Sequence, residues 1–178
     1  MLGAMRATLL ALLAGAVEAS MTCPGTSALV ACGMQVTATA DAPCDQVLAE
    51  MKARVAGQAR GAWVDPHNGG TYSVQSYGGT FSTSRVTGDR KYTDKQIFTL
   101  EPEGMGGACK IEACSRSQVF SIGDFGTNYC DLKMLYCGSR DGCKPVLHDF
   151  TVRSEDTQKF AQSSVNLRSC FKGDVEKV

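Results

Sequence analysis

The chain has 178 residues, 43% of them hydrophobic, with 18 Lys and Arg balanced by 18 Asp and Glu. That length suits one domain with a sizeable core, and the apolar fraction excludes wholesale disorder. A formal net charge of zero excludes a nucleic-acid binder built on a basic surface.

Residues 1–19 read as a secretory signal peptide. Arg6 supplies the positive n-region, Ala7 to Val17 the apolar run, and Val17-Glu18-Ala19 a small-residue cleavage site before Ser20. The run holds 11 residues, against the ~20 that a spanning helix needs, and it has no polar face to present as a buried amphipathic helix. Residues 20–178 then form a single mature domain. Nothing later is long and apolar enough to predict stable membrane insertion, and the charged tail from Lys172 to Val178 carries no lipid-anchor or retention signal. The expected location is secreted and extracellular.

In chain order, Met34 and Val36 alternate with Gln35 and Thr37 as a short strand. Asp41-Ala42-Pro43 then starts a helix, with Asp45 in the first turn where the macrodipole favours an acid. Cys44, Val47, Leu48, Met51 and Val55 recur along one helical face, and Glu50 and Arg54 make an i,i+4 pair on another. After the turn Asp65-Pro66-His67-Asn68-Gly69-Gly70, the period falls to 2. Thr71 to Tyr77 and Thr80 to Thr87, joined by Gly78-Gly79, predict a hairpin with Tyr72, Val74 and Phe81 on its core face. Ser73, Gln75, Ser82 and Ser84 fall on its wet face. Further strands are expected over Tyr92–Leu100, around Cys109-Ile111-Ala113, over Val119–Phe125, and across the alternation Cys130, Leu132, Met134, Tyr136. The tail predicts a strand at Phe150 and Val152 and a short helical stretch from Glu155 to Phe160. The fold class is α+β: one N-terminal helix packed on a bent antiparallel sheet of about five strands, with the element order of a cystatin-like or NTF2-like roll.

All nine cysteines, Cys23, Cys32, Cys44, Cys109, Cys114, Cys130, Cys137, Cys143 and Cys170, lie beyond the expected cut. In an oxidising compartment eight of them pair and one is left over, either buried or open to a partner chain. Gly138 to Gly142 form a turn-rich loop able to bring Cys137 to Cys143. Cys109 and Cys114 face opposite sides of one strand, as do Cys130 and Cys137, so neither pair bonds internally. Cys170 is placed to tie down the tail. No zinc spacing occurs, so neither a metal site nor a cofactor is predicted.

His67, two residues after Asp65, is the first candidate for acid–base work, and His148 beside Asp149 the second. Turn chemistry alone also explains Asp65, Pro66 and Asn68. The Ser, Thr and Gln of the hairpin's wet face suit a glycan or a small ligand, and equally an ordinary solvated sheet. Trp63 is expected in the core.

The block from Gln118 through Ile122-Gly123-Asp124-Phe125-Gly126-Thr127-Asn128-Tyr129-Cys130-Asp131-Leu132 and Leu135-Tyr136-Cys137 to Asp141-Gly142-Cys143, with Asp65 to Tyr72, resembles small secreted cysteine-containing proteins of unicellular algae. That resemblance implies secretion and a disulfide framework, and it brings no activity or site residues. Cystatin-type protease inhibition is not expected, because Gln118-Val119-Phe120-Ser121-Ile122-Gly123 departs from the Q-x-V-x-G spacing and no Pro-Trp pair follows. The primary expectation is a non-enzymatic binding module, monomeric or weakly dimeric. It would recognise an extracellular protein or glycan through the exposed sheet face or loops 65–70 and 138–142. The alternatives are a small secreted hydrolase using His67 or His148, and a structural component of a cell covering linked through the odd cysteine.

Overall fold

A computed structural model describes residues 21–76, 80–105 and 107–172. The expected signal peptide and the Gly78-Gly79 turn lie outside the described residues.

The chain enters the sheet with β1 (Gly33–Ala40), whose alternate residues Met34, Val36, Ala38 and Ala40 are buried. It continues into α1 (Cys44–Gln58), which starts behind Pro43 as expected. An antiparallel meander follows: β2 (Thr71–Ser76), β3 (Phe81–Val86), β4 (Thr93–Glu103) and β5 (Ala108–Ser117). The sheet has six strands in the order β2-β3-β4-β5-β1-β6, so β1 is inserted between β5 and the late strand β6 (Val152–Phe160). The strand–helix–meander order and the α+β class are as the sequence implies. The sixth strand, β6, starts at Val152 of the expected tail strand and extends well beyond it, while Phe150 lies just before it.

Within the hairpin, Tyr72 lies opposite Arg85 and Val74 opposite Thr83, so Tyr72, Val74 and Phe81 share the inner face as expected. Ser73, Gln75, Ser76 and Ser82 face outward, where Gln75 donates to Ser73 and the Ser76 and Ser82 hydroxyls meet at 2.8 Å. β4 runs beyond its expected end, through Pro102 to Glu103.

Three expectations are corrected. The alternation Cys130, Leu132, Met134, Tyr136 is not a strand but part of α2 (Thr127–Tyr136). Every residue from Asn128 to Tyr136 is buried, so no amphipathic stripe marks the helix and the period carries no signal. Residues 119–125 are an irregular loop rather than a strand, with Phe120, Ile122 and Phe125 exposed. Glu155 to Phe160 is extended in β6 and not helical, because the free edge of β1 pairs with it residue by residue. Charged side chains along β6, among them Arg153, Asp156 and Lys159, discourage further pairing at that outer edge.

Glu50 and Arg54 form the expected i,i+4 pair at 2.7 Å, yet both are fully buried, because α2 and the 144–150 segment cover that face of α1. Arg54 donates to the carbonyls of Met134 and Cys137, each at 2.7 Å, and so satisfies acceptors left open at the C-terminal end of α2. Glu50 accepts the backbone N–H groups of Val146, Leu147 and His148 at 2.7–2.8 Å. Burial alone would raise its pKa, but the three N–H donors and Arg54 outweigh burial and hold the carboxyl below its ordinary value.

Four disulfides close the structure: Cys23–Cys114, Cys44–Cys109, Cys130–Cys170 and Cys137–Cys143. Cys109 and Cys114 do face opposite sides of β5, one toward α1 and the other toward the N-terminal segment. Cys170 pins the tail to α2, and Cys137 bonds across its short loop. Trp63 is buried, as expected, and the leftover thiol, Cys32, is fully buried.

Replacing Glu50 by Ala leaves the buried Arg54 guanidinium without its counter-charge and three backbone donors without an acceptor, and is expected to cost about 3–5 kcal/mol in urea denaturation. Because the folded carboxyl titrates below its unfolded value, its contribution is complete above the ordinary Glu range and is lost as pH falls through the depressed folded value. The acid limb of the stability–pH curve should therefore flatten in Glu50→Ala.

Candidate functional site

The inner face of the sheet changes character along its length. Near α1 it carries Phe81, Phe98 and Ile111. The same register continued along β3, β4 and β5 places Thr83 and Arg85, Gln96 and Asp94, and Ser115 and Ser117 beneath α2. Polar side chains on core positions need partners, and α2 supplies them through Asn128 and Asp131. Ser115 donates to Asn128 at 2.8 Å, Ser117 to Asp94 at 2.5 Å, Thr83 to Gln96 at 2.8 Å, and Gln96 to Asp131 at 3.3 Å.

Arg85 is the centre of this layer. It pairs with Asp65 at 2.6 Å and with Asp131 at 3.1 Å, and it donates to the His67 carbonyl and to Asn68 Oδ1. Its flanking carboxylates offset the burial penalty and push its pKa up, so it stays cationic. Room for the guanidinium depends on Gly70, where a Cβ would collide with it, and Gly88 lets the neighbouring turn approach the Asn68 carbonyl. Burial raises the carboxyls of Asp94 and Asp131. Arg85 works against that rise in both, while the neighbouring Asp94 adds to it at Asp131.

Above this layer opens a cavity of about 430 Å³. Buried Asp94, Ser117, Ser121 and Asp124, with partly buried Thr127, form its floor. Tyr92 and Phe125, 44% and 90% exposed, stand at its rim with Asn68 and Asp89. Among the described residues, three of the four non-glycine residues with positive φ sit around this opening: Asn68 (47°) and Phe125 (50°) in the lining, and Arg90 (61°) in the turn between Asp89 and Tyr92. Such conformations are rare and persist where the surrounding structure imposes them, commonly at ligand sites. A second cavity, about 420 Å³, lies between Trp63, Pro66, Met134 and Phe171, and its lining is mainly apolar.

His67 sits in the expected turn, over residues 66–69, but is buried there. Its Nε2 lies 3.3 Å from Thr127 Oγ1 and its Nδ1 3.2 Å from the Ser169 carbonyl, which only accepts and so fixes the proton on Nδ1. Burial, with Arg85 nearby, lowers the imidazole pKa to about 4 despite Asp124 and the Ser169 carbonyl. Asp65 meets His67 only through the backbone, accepting its N–H at 3.0 Å, while its other oxygen holds Arg85. His148 is partly buried and gives its backbone N–H to Glu50, and Asp149 accepts both the N–H and the hydroxyl of Ser139. The two candidate pairs therefore do not converge. His67 approaches the cavity through Thr127, whereas His148 and Asp149 belong to the 138–150 loop.

Arg85, Asp94, Asn128 and Asp131 escape a reading by motif. Their trace is nonetheless present: Asp94 and Gln96 share the parity of Phe98, and Arg85 and Thr83 that of Phe81. Among the described residues, no group of three or more His, Cys, Asp or Glu is placed to hold a metal ion, and no helix is long and apolar enough to cross a membrane. No protein-family model, curated protein or solved structure matches this chain.

The tautomer and charge of His67 are directly measurable. Long-range ¹H–¹⁵N spectra are expected to show a neutral ring protonated on Nδ1 at pH 6, with protonation only near pH 4. A ring that titrates near the ordinary value of about 6.5 would show that it does not sit in this buried environment.

Proposed function

We propose that this protein is a secreted recognition module that binds a glycan in the cavity between loops 65–70, 87–92 and 120–127. The observation that carries the reading is the combination of an aromatic rim with a hydrogen-bonding floor. Tyr92 and Phe125 offer exposed ring faces for stacking on a sugar, while Ser117, Thr87 and Thr127 offer hydroxyls and Asp89 a carboxylate for its alcohols. Asn68 brings loop 65–70 to the site. The pocket is preferred to the outer hairpin face as the binding surface because it is concave and can enclose a ligand.

Four disulfides mark a chain that folds in an oxidising compartment, and they support delivery by the leader at residues 1–19. The reading as a cross-linked cell-covering component loses its chemical basis, since Cys32 is buried with its N–H on Ser121 Oγ at 2.8 Å.

Two outcomes follow. On a glycan array and then by titration calorimetry, the secreted protein should bind, and Tyr92→Ala and Phe125→Ala should each weaken binding by about tenfold, the weight of one aromatic contact. Failure to bind across the array, or binding that survives both substitutions, overturns the glycan site. Thiol titration should find no reactive group in the native, unreduced protein and a single one after denaturation, and non-reducing gels should show monomer.

A further inference from the structure

We propose that Thr127 is an acyl-accepting nucleophile activated by His67, and that the cavity hydrolyses small acyl esters, O-acylated sugars being the class that suits the glycan site. The inference rests on that reading for its substrate and on separate residues for its chemistry.

Nucleophilic catalysis needs a hydroxyl in an open cavity, a base within reach and a third group orienting the base. Thr127 lines the cavity, and His67 Nε2 lies 3.3 Å from its hydroxyl, a separation ordinary for a site without substrate. The Ser169 carbonyl holds the Nδ1 proton, so the Nε2 lone pair faces Thr127. That orienting group is not free to drift. Ser169 is bonded through its N–H and hydroxyl to the Asn166 carbonyl, and its neighbour Cys170 is covalently tied to Cys130, one turn along α2 from Thr127. Asn68 completes the set. Arg85 holds its Oδ1 at 2.8 Å, which leaves the amide N–H₂ group of this cavity-lining residue as the donor for a developing oxyanion.

Thr127 Oγ1 attacks the ester carbonyl carbon as its proton passes to His67 Nε2. The tetrahedral oxyanion collapses, the bond to the alcohol oxygen breaks, and the imidazolium returns the proton to the departing alcohol. Water, deprotonated by the same Nε2, then attacks the acyl-Thr127 ester. The carboxylic acid leaves, and Thr127 regains its proton. No oxidant, reductant or metal enters the balance.

A purely structural His67–Thr127 contact predicts none of this, and p-nitrophenyl acetate separates the two cases. The secreted protein should release p-nitrophenol above the buffer rate, and early acid quenching should trap one acetyl group on the peptide containing Thr127. Thr127→Val, which preserves shape, and His67→Gln should lower the release rate by about 10²-fold or more, whereas Thr127→Ser should retain it. Correct disulfide mapping of each variant checks its fold, and if a variant fails that check the adduct position in the unaltered protein decides. Release at the buffer rate, an adduct elsewhere, or a Thr127→Val protein as active as the parent overturns the proposal. Ester hydrolysis with no glycan bound on the array sustains the nucleophile and overturns the sugar assignment. Glycan binding retained in an inert parent protein does the reverse.

Discussion

One buried guanidinium organises the cavity end of this molecule. Arg85 rises from the turn-distal end of β3 onto the inner face of the sheet and is wholly excluded from solvent. A cation there is tolerable only if its donors are matched, and the matching groups come from distant parts of the chain: Asp65, the His67 carbonyl and Asn68 from one loop, and Asp131 from α2. Tyr72 adds its ring, 5.6 Å from the guanidinium carbon. The position of His67, the direction of Asn68 and the seating of α2 over the polar strands all follow from satisfying this one charge. The turn sequence Asp65-Pro66-His67-Asn68 cradles Arg85, and its histidine is turned inward toward Thr127.

The opposite end is held by a second buried pair with a different task. Glu50 and Arg54 project from α1 toward the C-terminal end of α2 and the loop that follows, where the backbone groups have no regular partners. The carboxylate collects three N–H groups and the guanidinium two carbonyls, so charged side chains complete hydrogen bonding that regular structure leaves open. Disulfides reinforce the arrangement at long range. Cys23–Cys114 and Cys44–Cys109 span 91 and 65 residues, separations at which the chain-entropy model gives more than 4 kcal/mol, roughly, for each bridge. A chain of this length can thereby keep a polar, partly hollow layer at one end without losing its fold.

That layer is where stability and function meet. Asp94, Ser117 and Asp124 are buried yet line an open cavity, and the rim above them combines exposed aromatic rings with backbone held at positive φ. Asp124 is fully used in this frame. One oxygen accepts from Gly126 and Ser164, the other from the backbone and side chain of Asn128, so the approach to α2 is fixed before any ligand arrives. A site so preorganised binds with little further loss of conformational entropy.

Residues whose structure is decided by neighbours in the chain could be read directly. These include the start of α1 behind Pro43, the faces of the two hairpin strands, the opposed Cys109 and Cys114, the short Cys137–Cys143 loop and the existence of one odd thiol. Each rests on local sterics, on the period of 2 or 3.6, or on parity of cysteine count. Tertiary packing alone decided the rest. α2 has no polar face because it is enclosed on all sides, and a helix with no solvent side loses the very periodicity that would reveal it. β6 is extended because β1 offers it a free edge. The burial of Glu50, Arg54 and Arg85 depends on partners 80 or more residues away for Glu50 and Arg54, and on both near and distant ones for Arg85. Charge in a sequence ordinarily signals a solvated surface, and only the assembled fold supplies the counter-groups that make its burial affordable.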